Sequence, residues 1–109
     1  MSLKKFDIAL VKFPFSDLTK TKKRPVFVIR SLEGDNTIFC QITTKRRNIK
    51  KYEVILKKDD CEGNIHFDSF IYLDMIFTLH KSIVHEKIGE VKSSKVKETI
   101  SQKIKLIFN

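Results

Sequence analysis

Cysteine, glycine, proline and tryptophan are all scarce in this chain: two Cys, three Gly, two Pro and no Trp occur among its 109 residues. Cys40 and Cys61 form neither a CxxC pair nor a zinc-type spacing, which argues against a disulfide framework and a structural zinc. Cys40, inside the apolar run "TIFCQI", reads as a buried thiol, and Cys61 as a loop thiol. His66, His80 and His85 are scattered, so no metal site and no cofactor are expected. A low glycine and proline content beside 41% hydrophobic residues and nine Phe excludes a low-complexity or disordered chain. No apolar run approaches the roughly 20 residues of a membrane span. The opening "MSLKKFD" is basic but lacks the apolar core and cleavage site of a secretory signal, so a cytoplasmic protein is expected.

Acidic residues are also few in one half. Residues 1–58 hold 15 Lys and Arg against 5 Asp and Glu, whereas residues 59–109 hold 7 against 8. Nearly all of the +9 net charge therefore comes from the first half. Such a field draws a polyanion to one region of the surface, either nucleic acid or an acidic protein segment. The cations are clustered: four of residues 20–24 are basic, and so are five of the seven in "KRRNIKK" (45–51).

At this length the chain is one domain, residues 1–109, with a single modest core. "DIALVKF" (7–13) reads as a strand and "PFSDLTKTKK" (14–23) as a long loop. "PVFVIR" (25–30) is an apolar run suited to a strand buried on both faces. "LEGDN" (32–36) has hairpin-turn chemistry and leads into the return strand "TIFCQIT" (37–43). Further strands are expected at 52–56, 66–73 and 82–91, with a loop at 57–64 and a helical turn within 74–81. In the last segment Val96, Ile100, Ile104, Ile107 and Phe108 recur at helical spacing, and Ser93 or Ser94 can cap the start. Five to seven short strands plus one C-terminal helix make a mainly β protein, a small β-barrel with a helical cover.

One juncture in this pattern bears on chemistry. Pro25 fixes its own φ, has no amide proton, and pushes Arg24 toward an extended backbone. With a turn at 32–36, the start of the first hairpin strand and the end of the second lie at the same end of the sheet. Arg24 and Thr43–Thr44 are therefore expected as neighbours across the ladder, flanked by both cationic loops. Arg offers bidentate donors that suit phosphate, and Thr a neutral donor. Thr43 also reads simply as a β-branched strand residue.

The ordered stretches "DIALVKFPFSDL", "KKRPVFVIRS", "IFCQITT" and "FDSFIYLDMIFTLHKSIVHEKIGEV", followed by the closing helix, resemble the MazF/PemK toxins of bacterial toxin–antitoxin pairs. The resemblance runs from about Phe6 to the C-terminus and is weakest over 45–64. It implies an SH3-like barrel that forms a homodimer and acts as a metal-independent endoribonuclease selective for sequences in single-stranded messenger RNA. It also implies inhibition by an acidic antitoxin protein. The catalytic residues it implies are Arg24 and Thr43, with Asp74 as a helper base. Ser16, Lys20, Lys22, Lys23, Lys45, Arg46 and Arg47 are the expected RNA contacts, mostly to phosphate, and Phe15 is placed to stack a base. Asp17 and His80 are lesser acid–base candidates. The chain departs from its relatives at Tyr72 and Phe77, where they carry arginine, and at His80, where they carry aspartate. No acid or histidine occupies Leu18–Lys20 ahead of Arg24. These departures motivate a second reading, a barrel that binds RNA or an acidic partner without cutting. A protein-targeting gyrase poison of the same barrel type relies on a tryptophan-bearing tail, which this chain lacks.

Overall fold

The computed structural model describes residues 2–14 and 21–109. Seven strands precede one helix: β1 (Asp7–Pro14), β2 (Thr21–Ser31), β3 (Asn36–Thr43), β4 (Glu53–Leu56), β5 (Cys61–Gly63), β6 (Ser69–His80), β7 (Val84–Val91) and α1 (Ser94–Ile107). They form one curled antiparallel sheet, a half-barrel in the order β4-β6-β3-β2-β1-β7-β5. The mainly β fold with a C-terminal helical cover is the one expected.

Both faces of the central strands are covered, which is why they read as nearly continuous apolar runs. Successive side chains alternate between faces. On the inner face Ile8, Phe27, Cys40, Ile42, Val54, Leu56, Ile71 and Leu73 pack around Ile100 of α1. On the outer face Ala9, Val11, Val26, Val28 and Phe39 are covered by Leu3, Phe77, Leu79, Ile83 and Val84. Ser93 accepts the Val96 N–H at 3.3 Å and caps α1, and Val96, Ile104 and Ile107 turn inward with Ile100. Phe108, expected on that stripe, lies at the C-cap and is exposed.

Three segments differ from expectation. β2 begins at Thr21, so Lys22, Lys23 and Arg24 are strand residues rather than loop residues. The register Lys12↔Lys23 and Phe13↔Lys22 shows that pairing with β1 carries the polar stretch. Residues 74–80 continue β6 instead of making a helical turn. Their apolar pattern has period two, with Phe77 and Leu79 on the outer face and Ile76 on the inner. A 3-10 turn follows the strand at Lys81–Ile83. The expected loop 57–64 contains a 3-10 turn at Lys58–Asp60 and the short strand β5. Cys61, expected as a loop thiol, opens that strand and is buried, while Cys40 is buried as expected. Both thiols are free.

Candidate active site

Gly34, at φ +94°, turns the chain between β2 and β3. The ladder between these strands runs through Phe27↔Cys40 to Val26↔Gln41 and stops there, at the edge of Pro25, which has no N–H to give. Continued by two residues, the same register sets Arg24 level with Thr43. Arg24 shares the outer face with Val26 and Val28, and Thr43 shares it with Gln41 and Phe39. Thr43 also pairs with Phe70 of β6, and Phe70 with Ile55 of β4. One row across the outer face therefore reads Arg24, Thr43, Phe70, Ile55. The row beside it reads Val26, Gln41, Tyr72, Glu53.

Arg24 is exposed and Thr43 half-buried. The Lys45 N–H donates to Thr43 Oγ1 at 3.2 Å. That bond fixes the hydroxyl through a lone pair and leaves its single O–H to donate outward.

The second row carries a denser arrangement. β6 bulges between Tyr72, paired with Gln41, and Ile76, paired with Cys40. Leu73 turns its N–H to the Tyr52 carbonyl at 2.7 Å, and Asp74 is left pointing outward, as bulges tend to re-aim side chains. Arg47 grips this carboxylate with both terminal nitrogens, Nη1 to Oδ2 at 3.0 Å and Nη2 to Oδ1 in a shorter contact. Its guanidinium carbon lies 4.0 Å from the centroid of the Tyr72 ring. Its Nε faces the buried carboxylate of Glu53 at 4.0 Å, close enough to attract without a direct hydrogen bond. The hydrogen bond from Arg47 holds the Asp74 carboxyl below the ordinary carboxylate range. Asp74 in turn pushes the Arg47 guanidinium further up.

The two residues before Arg47 are held as well. The Tyr72 hydroxyl donates to the Lys45 carbonyl, and the Arg46 guanidinium sits 5.8 Å from the Phe70 centroid. Three consecutive loop residues are thus fastened to β6.

The structure brings Arg24, Thr43, Lys45, Arg46, Arg47 and Asp74 to one region of the outer face. Lys22 and Lys23 lie just before Arg24 on β2, and Lys23 Nζ is 3.1 Å from His85 Nε2. Ser16 and Lys20, with Phe15 and Asp17, lie outside the described residues. His80 pairs with Asn36 at the far end of β3 from Thr43, roughly 23 Å away at a rise of about 3.3 Å per residue. It is bound there to Ser82 and faces Asp35. Sequence reasoning missed Gln41 and Glu53. The period-two pattern of "YEVIL" sets Glu53 opposite Val54, but nothing local says that Arg47 would cover it. Among the described residues no group of three or more His, Cys, Asp or Glu could hold a metal ion, and no helix is long and apolar enough to cross a membrane.

The fold is thus a curled sheet closed by a terminal helix, with a cluster of cations at one end of its outer face. Residues 4–108 match the PemK-like, MazF-like toxin family of type II toxin–antitoxin systems, and the chain belongs to that family. Comparison with curated protein sequences finds no match. Among solved structures, the chain is similar to an endoribonuclease from a mycobacterial species in complex with its cognate antitoxin, with a TM-score of 0.76 at 15% identity over 98% of this chain and 95% of that one. It is also similar to the Mycobacterium tuberculosis toxin MazF-mt6, with a TM-score of 0.72 at 18% identity over 94% and 95% of the two chains. A further mycobacterial endoribonuclease gives a TM-score of 0.72 at 17% identity over 99% and 92%. At these identities the likeness concerns the fold.

Proposed function

We propose that this chain is the toxin of a type II pair, a metal-independent endoribonuclease that cuts single-stranded RNA. What supports the reading is the β2–β3 register, which continued past Val26↔Gln41 sets Arg24 level with Thr43, within a family of toxins. The 2′-oxygen of the substrate attacks the adjacent phosphorus, the O2′–P bond forms, and the P–O5′ bond breaks. A proton leaves the 2′-OH and one joins O5′, giving 2′,3′-cyclic phosphate and 5′-OH ends. Charge builds on the non-bridging oxygens, where the Arg24 guanidinium and the Thr43 hydroxyl stabilise it. Donors of this kind contribute roughly 3–4 kcal/mol each in comparable sites. Lys22, Lys23, Lys45 and Arg46 supply phosphate contacts.

Asp74, expected as a helper base, is assigned a different task in this reading. Its carboxylate is committed to Arg47, so it serves as a positioning residue that holds a guanidinium beside the Thr43 row. The protein works as a homodimer, and an acidic antitoxin occupies the cationic face when the toxin is silent. The antitoxin complex of the mycobacterial relative supports that last assignment.

The test is incubation with long single-stranded RNA in EDTA, beside Arg24→Ala and Thr43→Ala. Discrete fragments ending in cyclic phosphate are expected from the wild type. Each variant should be about 100- to 1000-fold slower. One observation favours the second reading, a barrel that binds without cutting: the carboxylate nearest the site is tied up and weakly basic. Intact RNA in the wild-type reaction, with binding retained, would establish that reading instead.

A further inference from the structure

The row Arg24–Thr43–Phe70–Ile55 does not end at the edge of the sheet. Beyond β4, the edge strand, a groove of about 360 Å³ opens between the strand, the 45–51 loop and α1. Its cations are Arg46 and Lys50 from the loop and Lys95 and Lys103 from α1. Lys103 is a brace: its Nζ donates to the Lys50 carbonyl at 2.6 Å and the Glu53 carbonyl at 2.9 Å, tying the helix to the entry of β4. Arg46, Lys50 and Lys95 are exposed. The one carboxylate in the lining, Glu53, is buried and faces Arg47. Between the groove and Thr43 stands Phe70, with Arg46 over its ring and the exposed Ile55 beside it.

We infer that this groove is the track for the single strand of RNA flanking the cut. A cationic groove beside an aromatic face, here Phe70, is an arrangement that holds single-stranded nucleic acid without reading its sequence. The inference rests on the proposed ribonuclease reading for its direction, since the strand enters the groove from Thr43 by way of Phe70. Phe70, with Arg46 against it, takes the base next to the scissile phosphate. Lys50 and Lys95 take the phosphates that follow. An acidic protein segment would find the same charges. RNA is favoured because the groove continues the Arg24–Thr43 row through an aromatic platform.

The experiment measures binding of a labelled 16-residue 2′-O-methyl oligouridylate, which cannot be cleaved by attack of its 2′ position. The comparison is between wild type, Lys50→Gln/Lys95→Gln, and the charge-matched control Lys58→Gln/Lys105→Gln, whose positions lie off the groove. The groove variant is expected to bind about tenfold more weakly. Its log–log salt slope should be shallower by about 1.4, the change for two lost contacts to a single strand. The control should change less than twofold. Phe70→Leu is expected to weaken binding about tenfold without altering the salt slope. Equal losses in the two lysine pairs, or none in the groove pair, would overturn the proposal. So would a groove variant that keeps RNA but loses a 16-residue oligoglutamate, which would assign the groove to an acidic protein. Because the probe reports binding alone, a wild type that binds it as described yet leaves RNA uncut in EDTA would sink the ribonuclease reading and not the groove.

Discussion

The Arg47 guanidinium carbon stands 4.0 Å from the centroid of the Tyr72 ring, so a cation from the 45–51 loop is seated on an aromatic side chain of β6. The positive group reaches the Thr43 region from the 45–51 loop, and Tyr72 serves as the surface it rests on. Fixing a loop cation this way needs the partners seen around it: two oxygens of Asp74, the charge of Glu53 and the aromatic face. Arg47, expected as an RNA contact, is thereby committed to Asp74 within the fold.

This arrangement predicts coupling. In a cycle of Arg47→Ala, Asp74→Ala and the double variant, followed by urea unfolding, the interaction term should be about 1–3 kcal/mol. Arg47→Lys should recover little of it, because an ammonium can neither bond both oxygens at once nor stack. Additive single variants would show that the contact contributes nothing to stability.

The depressed Asp74 carboxyl sets the pH dependence. An aspartate held below its unfolded value of about 3.9 contributes stability fully above that value and loses it as pH falls through the folded one. The Arg47 contact should therefore hold from neutral pH down to about pH 4 and weaken only below. If Asp74 positions Arg47 and moves no proton, the Asp74→Asn enzyme should be slower with an unchanged acid limb in its pH–rate profile. Disappearance of that limb would make Asp74 the base.

Much of the fold was legible in the residues, and so was the hairpin register that, continued past Val26↔Gln41, sets Arg24 level with Thr43. The apolar strands, the turn at Gly34 and the capped helix are local patterns, and a hairpin converts them directly into a cross-strand neighbour. What stayed hidden depends on distant partners. Lys22 and Lys23 look like loop residues until β1 is known to pair with them, and Cys61 looks exposed until β7 covers it. The Arg47–Asp74 bond joins residues 27 apart in sequence through a bulge that no local pattern announces.

Burial of the thiols gives a third prediction. Desolvation pushes Cys40 up to about 12 and Cys61 up to about 11, against an ordinary value of 9.0. The neutral thiols are thus the form the fold prefers. Their contribution is complete below pH 9 and is lost as pH rises, toward about 11 for Cys61 and about 12 for Cys40. A thiol-specific disulfide reagent at pH 8 should react far more slowly with the native protein than with the protein in urea. Cys61 should react before Cys40. Rapid native-state labelling of Cys40 would show that the inner core opens readily.

Gly63 pairs with Gly89 of β7, and its φ is +105°. A methyl group added at Gly63 would stand 2.5 Å from the Ile88 carbonyl oxygen. Gly34 has a similar φ of +94°, but a methyl group there meets nothing within 4 Å. Both alanine variants carry the strain of a left-handed backbone, about 1–3 kcal/mol; only Gly63→Ala adds a backbone clash. Gly34→Ala should lower the melting temperature by several degrees, at about 4 °C per kcal/mol for a domain of this size. Gly63→Ala should lower it further and loosen the covering of Cys61, which is read by faster thiol labelling. Equal melting temperatures for the two variants would mean that β5 yields at no cost, and that backbone conformation alone selects glycine at both positions.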